Sequence, residues 1–512
     1  MTVSDQNPRS PLSHLQARLA KGNDKARAEA VGKRHARGFR TARENLVDLV
    51  DPGSFIEYGQ LAVAAQRTRR DVEALQQETP GDGIITGTAT VNATHFGEGK
   101  TRTAVIINDY TVLAGTQGYF HHKKIDRLLD IAERERLPVI MYAEGGGGRP
   151  GDTDVMTNMA GLNVPSFWRW SKLSGKVPRI SVSNGFCFAG NAALFGAADV
   201  RIATQTSWIG MAGPAMIEGG GLGSYAPTDI GPADLHAHNG GIDLLVADEA
   251  TATQAAKVVL SYTQGDAAHF DVEDQQVLRD ILPDNRRMAY DVRKVIRQLF
   301  DRHSVTELRP AYGRAIITGF ARVAGKAVAF IASDCRHLGG AIDTTAARKC
   351  DEFLRLVERW QLPVVSLIDT PGFMVGPASE AEGAARVMPE LFNAAAAVTT
   401  PWVAIFLRRG YGLGAMALAG GSFEAPSIAA SWPQGEFGGM GLEGAVKLGY
   451  RKELDALPEG PERQALFESL LAKLYNQGRA TEAASFLELD MVIDPAETRT
   501  VILRGIGSTT AA

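Results

Sequence analysis

Cysteine is scarce in this 512-residue chain: Cys187, Cys335 and Cys350 stand alone, with no C-x-x-C pair. A disulfide framework and a zinc ribbon are therefore not expected, and no metal site is predicted. Long apolar runs are missing too. No stretch of about 18 apolar residues occurs, so no membrane span is expected. The opening "MTVSDQNPRSPLSHLQARLAKG" lacks the apolar core of a secretory signal. Charge of one sign is not in excess: 54 Lys and Arg face 58 Asp and Glu, for a net charge of -4. That balance gives no footprint for nucleic acid. These absences predict a protein of a reducing, cytoplasmic compartment. Catalytic side-chain signatures are also lacking. There is no G-x-S-x-G, no H-E-x-x-H and no nucleophile cysteine context, and "GEGKT" lacks the first glycine of a phosphate loop.

What is present is a chain written twice. "GDGIITGTATVN" from Gly81 parallels "YGRAIITGFARVAG" from Tyr312, and "TAVIINDYTVLAGTQG" from Thr103 parallels "KAVAFIASDCRHLGGAI" from Lys326. "KKIDRLLDIAERERLPVIMY" then answers "RKCDEFLRLVERWQLPVVSL", with Pro138 and Pro363 standing 225 residues apart. Such spacing is too long for a solenoid and reads as a duplicated domain. The charged segment Val272 to Asp301 separates the halves. A boundary near 275–285 gives domains 1–280 and 281–512. Within each half, short β-branched runs alternate with helical patterns. Ile125, Leu128, Leu129 and Ala132 share one helix face. The alternation predicts βαβ units and an α/β class. Basic residues crowd the N-terminal arm at Lys21, Lys25, Arg27, Lys33, Arg34, Arg37, Arg40 and Arg43. They read as a solvated helix face or as a dock for an acidic partner.

Glycine marks the candidate site. "YAEGGGGRPGD" contains Gly146-x-Gly148-x-x-Gly151, which fits the dinucleotide fingerprint by spacing. The fit fails on context. Pro150 interrupts the turn, and after Asp154 the next acid is Asp199, so the ribose acid is missing. The loop is either a tight solvent turn or a nest of backbone amides for an anion, with Arg149 adding charge. Two strand-to-helix corners, "SNGFCFAGNAALFG" and "RRGYGLGAMALAGG", repeat one design of small residues before an alanine-rich helix. First-turn amides have no intrahelical partner and carry partial positive charge. The corners read as oxyanion holes or as close helix-on-sheet packing. His121, His122, Lys123 and Lys124 open a helix and could meet phosphates or water. Glu144 and Asp369 end matching strands, as bases or as turn caps. Trp168 and Trp170 read as packing or interface residues.

These phrases, with "DTPGF" at Asp369 to Phe373 and "WPQGEFGGMG" at Trp432 to Gly441, resemble the carboxyltransferase (β) subunits of biotin-dependent acyl-CoA carboxylases. The likeness runs from about Ala42 to Arg499 and covers relatives acting on propionyl-, acetyl-, methylcrotonyl- and long-chain acyl-CoA. It implies two tandem crotonase-like (ClpP/crotonase) domains related by duplication. The first half would take the acyl-CoA and the second carboxybiotin, with the active site shared between subunits of a homo-oligomer, a hexamer by resemblance. The family's first amide pair falls at Ala189 and Gly190, on the thioester enolate oxygen. The second falls at Leu413 and Gly414, or one residue either side, on the biotin ureido oxygen. Gly146, Gly147, Gly148 and Arg149 match the family's acyl-CoA loop. Tyr411, Ala415 and Met416 flank the second pair as substrate contacts. No biotinyl-lysine context or ATP site occurs, so biotin is expected on a carrier protein and ATP chemistry on a partner biotin carboxylase. The rival readings are the carboxyltransferase subunit of a sodium-coupled acyl-CoA decarboxylase, a crotonase-type hydratase or isomerase, and a non-catalytic CoA-binding subunit.

Overall fold

The computed structural model of the chain describes residues 10–155 and 162–507; the first nine residues of the stretch read for a secretory signal lie outside them. The chain divides into two compact units, Met1–Gly265 and Asp266–Ala512. Residues 266–280, given to the first half on the sequence, pack within the second unit. Ala267 N donates to Gly325 O (2.9 Å), and Arg302 N donates to Asp271 O (2.8 Å).

Each unit is built on one mixed sheet. In the first, the strand order is Ile56–Tyr58, Ile84–Thr90, Arg102–Asn108, Val139–Tyr142, Arg179–Ser183, Val200–Thr204 and Leu244–Val246. The first three strands pair antiparallel, and from Arg102–Asn108 onward all pairs are parallel. The second unit repeats the plan with Thr306–Leu308, Ile316–Val323, Lys326–Ser333, Val364–Thr370, Trp402–Tyr411, Ile428–Ser431 and Met491–Val492. In the second unit Ala324 and Gly325 make a tight antiparallel return, whereas in the first residues 91–101, with the short helix Ala93–Phe96, join the matching strands; the parallel part needs helical crossovers.

The crossover helices show why the duplicated sequence gives a duplicated fold. Tyr119–Glu135 and Thr344–Trp360 are each 17 residues long. The first buries Ile125, Leu128, Leu129 and Ala132, the stripe expected from the spacing. Each large apolar side chain contributes about 2 kcal/mol by burial. Both helices end on a left-handed residue, Arg136 and Gln361, each at φ 54°. A proline two positions on, Pro138 or Pro363, prevents the helix from continuing and opens the next strand. A buried lysine pins each helix to the start of the second strand in its sheet. Lys124 Nζ donates to Gly81 O (2.9 Å) and Ile84 O; Lys349 Nζ donates to Arg309 O (3.0 Å) and Ile316 O (2.8 Å). No described helix is long and apolar enough to cross a membrane.

Candidate active site

In the first unit the strand Val139–Tyr142 runs into the glycine loop. Gly145 is held on both sides, its N–H on Phe186 O (2.7 Å) and its carbonyl on Phe188 N (2.9 Å). It lies at φ 150°, and a Cβ there would stand 1.9 Å from Gly115 O. Further on, Gln117 N donates to Gly147 O (2.7 Å), and Arg149 N donates to Gln117 O (2.9 Å). This is a parallel bridge centred on Gly148. In such a bridge the flanking groups face the partner, so the N–H of Gly148 itself faces away. Gly148 and Gly190 line one cleft of about 640 Å³, together with Gln117, His122, Lys123 and Phe167.

Gly190 opens the helix Gly190–Gly196. Its N–H has no intrahelical partner. The preceding Ala189 is different. It sits at φ 51°, and its N–H is spent on Gly210 O at 2.9 Å. The two amides expected at Ala189 and Gly190 therefore reduce to one at the helix start. Gly147, at φ 93°, brings the strand-end loop against this corner: a Cβ there would lie 2.7 Å from Ala189 Cβ. Gly148 and Gly190 are thus the two outward amides of this corner, while Gly146 is an exposed residue of the same loop. The sequence reading paired Ala189 with Gly190 along the helix, whereas the fold sets Gly148 and Gly190 on one cleft.

The second unit repeats the corner. Ile342 N donates to Gly372 O (3.0 Å) and Met374 N donates to Ile342 O (2.8 Å), so Phe373 stands where Gly148 does. Tyr411 pairs with Gly438 as Phe188 pairs with Gly210. Next along each chain comes a left-handed residue, Gly412 at φ 59° or Ala189 at φ 51°. Leu413 therefore matches Gly190, and Gly414 is the spacer behind it. A Cβ on Gly414 would lie 2.8 Å from Gly372 Cα and 2.9 Å from Phe373 N. Tyr411 is buried and its ring packs in the cluster with Leu442 and Val446; Ala415 is also buried. Met416 lines a second, apolar cleft of about 1000 Å³ with Gly412, Phe423, Phe437, Met440 and Leu487.

The charged side chains brace these corners. Glu144 accepts both ends of the Arg34 guanidinium at 2.7 and 2.8 Å, out of solvent. Burial pushes its carboxyl up against the pull of Arg34. Asp369 faces two guanidiniums, Arg408 at 2.9 Å and Arg409 at 2.6 Å. Burial would raise its carboxyl too, but the two arginines outweigh it and hold it below the usual carboxylate range. Neither acid is a free base. Arg149 turns inward to Asp82 (2.5 Å) and Thr116 O (2.8 Å), so its charge is neutralised within the loop. In the basic arm, Lys21, Arg27, Lys33, Arg34, Arg40 and Arg43 all hold carboxylates of the first unit. Arg34, Arg408 and Arg409 were not singled out as site residues on the sequence; the doubled arginine before "GYGLG" was the available signal. Trp170 is buried beneath Arg179, whereas Trp168 is exposed beside Lys172. Among the described residues no cluster of His, Cys, Asp or Glu could hold a metal ion.

A mixed sheet with a strand-end loop folded onto a helix start, present twice, defines a tandem crotonase-like α/β protein. The chain belongs to the carboxyl transferase domain family, which matches residues 33–509, and with it to the carboxyltransferase components of biotin-dependent acyl-CoA carboxylases. It is 31% identical over 513 residues to the biotin-dependent long-chain acyl-coenzyme A carboxylase beta4 subunit of Mycobacterium tuberculosis, covering 97% of this chain and 93% of that one. Among solved structures it matches a single-chain, multi-domain long-chain acyl-CoA carboxylase at 52% identity and a TM-score of 0.92. The match covers 99% of this chain but 49% of that protein, so the chain spans about half its length. Transcarboxylase 12S, a hexamer with methylmalonyl-coenzyme A bound, matches at 27% identity and a TM-score of 0.85, over 100% of this chain and 96% of that one.

Proposed function

We propose that the chain transfers a carboxyl group from carboxybiotin, carried on a separate protein, to the α-carbon of an acyl-CoA. The observation that carries this reading is the corner built twice, with its bridges Gln117–Gly148 and Ile342–Phe373. Biotin supplies the activated carboxyl group when it is bound. The second cleft fits a bicyclic ureido group: it is apolar, and Gly412, Gly438 and Gly439 leave bare backbone on its wall. The amides of Phe373 and Leu413, at the corner next to Gly412, hold the ureido oxygen. In the first unit the amides of Gly148 and Gly190 hold the thioester oxygen as negative charge builds on it, while the α-proton would pass to the ureido nitrogen that gives up the carboxyl group. Each such donor is worth about 3 kcal/mol when aimed at developing charge.

With the α-proton taken by that nitrogen no side-chain base is called for, in keeping with Glu144 and Asp369 being locked on arginines. That locking also disfavours a hydratase, which uses positioned carboxylates to move protons at an alkene. Assembly into a homo-oligomer, a soluble biotin carboxylase and carrier as partners, and a cytoplasmic site belong to the same proposal. The test is transfer of labelled carboxyl from a carboxylated carrier to a panel of acyl-CoAs. Avidin-sensitive labelling of acyl-CoA supports the reading. Avidin-insensitive turnover of an enoyl-CoA would overturn it, and co-purification with a membrane subunit would favour the decarboxylase instead.

A further inference from the structure

The first cleft has a polar group that the transfer chemistry above does not use. His122 lies in the first turn of Tyr119–Glu135, half-buried, on the wall shared with Gly148 and Gly190. Its ring stands 6.0 Å from that of Phe167, whose ring tip lies 3.2 Å from the Cβ position of Gly190. The imidazole is oriented from behind. Ser166 Oγ donates to Asp126 Oδ1 at 2.7 Å, and His122 Nδ1 lies 3.0 Å from the same Oγ. The serine proton is spent on the carboxylate, so only lone pairs face the ring. Nδ1 must carry the hydrogen and donate it, and Nε2 is left as a bare acceptor.

Nε2 has no protein partner among the described residues, and it is not among the sealed, unpaired polar atoms of the fold. It is therefore open to the cleft that the ring lines. Burial, with Arg149 adding positive charge, lowers the imidazole to about 4. The ring stays neutral near pH 7, where its acceptor is available. Lys123, which lies over the Tyr119 ring, and Asn163 also line this wall; three of its other polar side chains are held by neighbours. Asp152 accepts from Tyr119 N and Gln66, Gln117 Nε2 donates to Asn191 Oδ1, and Arg149 donates to Thr116, Asp82 and Asp152. The cleft thus offers two amide donors and, besides the Gln117 side-chain oxygen next to Gly190, an oriented imidazole acceptor. A thioester of coenzyme A has the complementary set, a thioester oxygen that accepts and, along its pantetheine arm, amide N–H groups that donate.

We propose that His122 Nε2 accepts a hydrogen bond from an amide N–H of the acyl-CoA arm and so positions the thioester against Gly148 and Gly190. This assignment rests on the acyl-CoA reading of the first cleft. It makes His122 a substrate-positioning residue and leaves the proton transfer elsewhere.

The test is calorimetric binding of propionyl-CoA, with KM and kcat measured beside it. His122→Phe keeps a ring against Phe167 and removes the acceptor. It should weaken binding and raise KM about five- to tenfold, the worth of one neutral hydrogen bond, with kcat within about twofold. His122→Gln can return an oxygen near the Nε2 position and should bind within about twofold of the wild type. Wild-type affinity in His122→Phe would overturn the proposal, as would His122→Gln binding as weakly as His122→Phe, which would mark a packing role. If His122→Phe does not fold, Ser166→Ala takes its place: it frees the ring to change tautomer and should weaken binding about twofold or more, and unchanged affinity overturns the proposal. A wild-type protein that binds no acyl-CoA defeats the functional reading itself, and this proposal with it.

Discussion

The two units repeat one backbone corner and brace it differently. In the first, the strand-end acid Glu144 meets a single guanidinium from the N-terminal arm, Arg34, which also lies 4.6 Å over the Phe39 ring. In the second, Asp369 meets Arg408 and Arg409 from the neighbouring strand. The loops differ as well, "EGGGGR" against "DTPGFM", yet each gives one outward amide at the same bridge position. What duplication has kept is the direction of N–H groups; the side chains that hold them have diverged. That pattern is expected where backbone donors do the chemistry.

The comparison can be broken first at the helix start. Gly190→Pro removes one N–H at a position where proline suits the helix backbone, although Gln117 must shift to admit the ring. Carboxyl transfer should fall about 10²- to 10³-fold with the far-UV spectrum unchanged. A smaller effect separates the braces. Arg34→Ala leaves Glu144 buried without a counter-charge and should cost about 3–5 kcal/mol in a denaturant melt. Arg409→Ala leaves Arg408 on Asp369 and should cost clearly less. Equal costs would mean that the two braces are equivalent after all.

The smallest effect is a pH dependence of opposite sign. Asp369 is held below its ordinary value, so the stability it contributes is present above about pH 4 and is lost as the pH falls further. Glu144 is raised, so its contribution is present in acid and declines as the pH rises through its folded value. Between pH 6 and pH 3, hydrogen exchange in Val364–Thr370 should quicken relative to Val139–Tyr142, after correction for intrinsic rates. The reverse order would contradict the assigned directions.

The duplication and the α/β class were legible because both are written in periodicity: the stripe at Ile125, Leu128, Leu129 and Ala132, and the prolines that close each crossover helix. The corners were legible as places rich in small residues. Which amides point outward was not. That depends on the bridge to Gln117 or Ile342, and on whether Ala189 N–H is already spent on Gly210, more than twenty residues away in sequence. The spacing of the second pair was open by one residue for the same reason. The left-handed turn at Gly412 places Leu413 where Gly190 stands, and no composition signal marks that conformation when alanine holds it in the other unit. Arg149 reads as a loop charge on the sequence because its partner Asp82 is 67 residues earlier.

Leu413 offers the most direct measurement, because its side chain and its amide can be separated. It is 62% exposed, so Leu413→Ala removes little packing, while Leu413→Pro deletes the N–H in the first turn of the helix. Transfer of labelled carboxyl from a carboxylated carrier to propionyl-CoA is followed in both. Leu413→Ala should stay within about threefold of wild type and Leu413→Pro should lose about 10²-fold or more. A folded Leu413→Pro protein with wild-type transfer would contradict catalysis by the paired backbone amides.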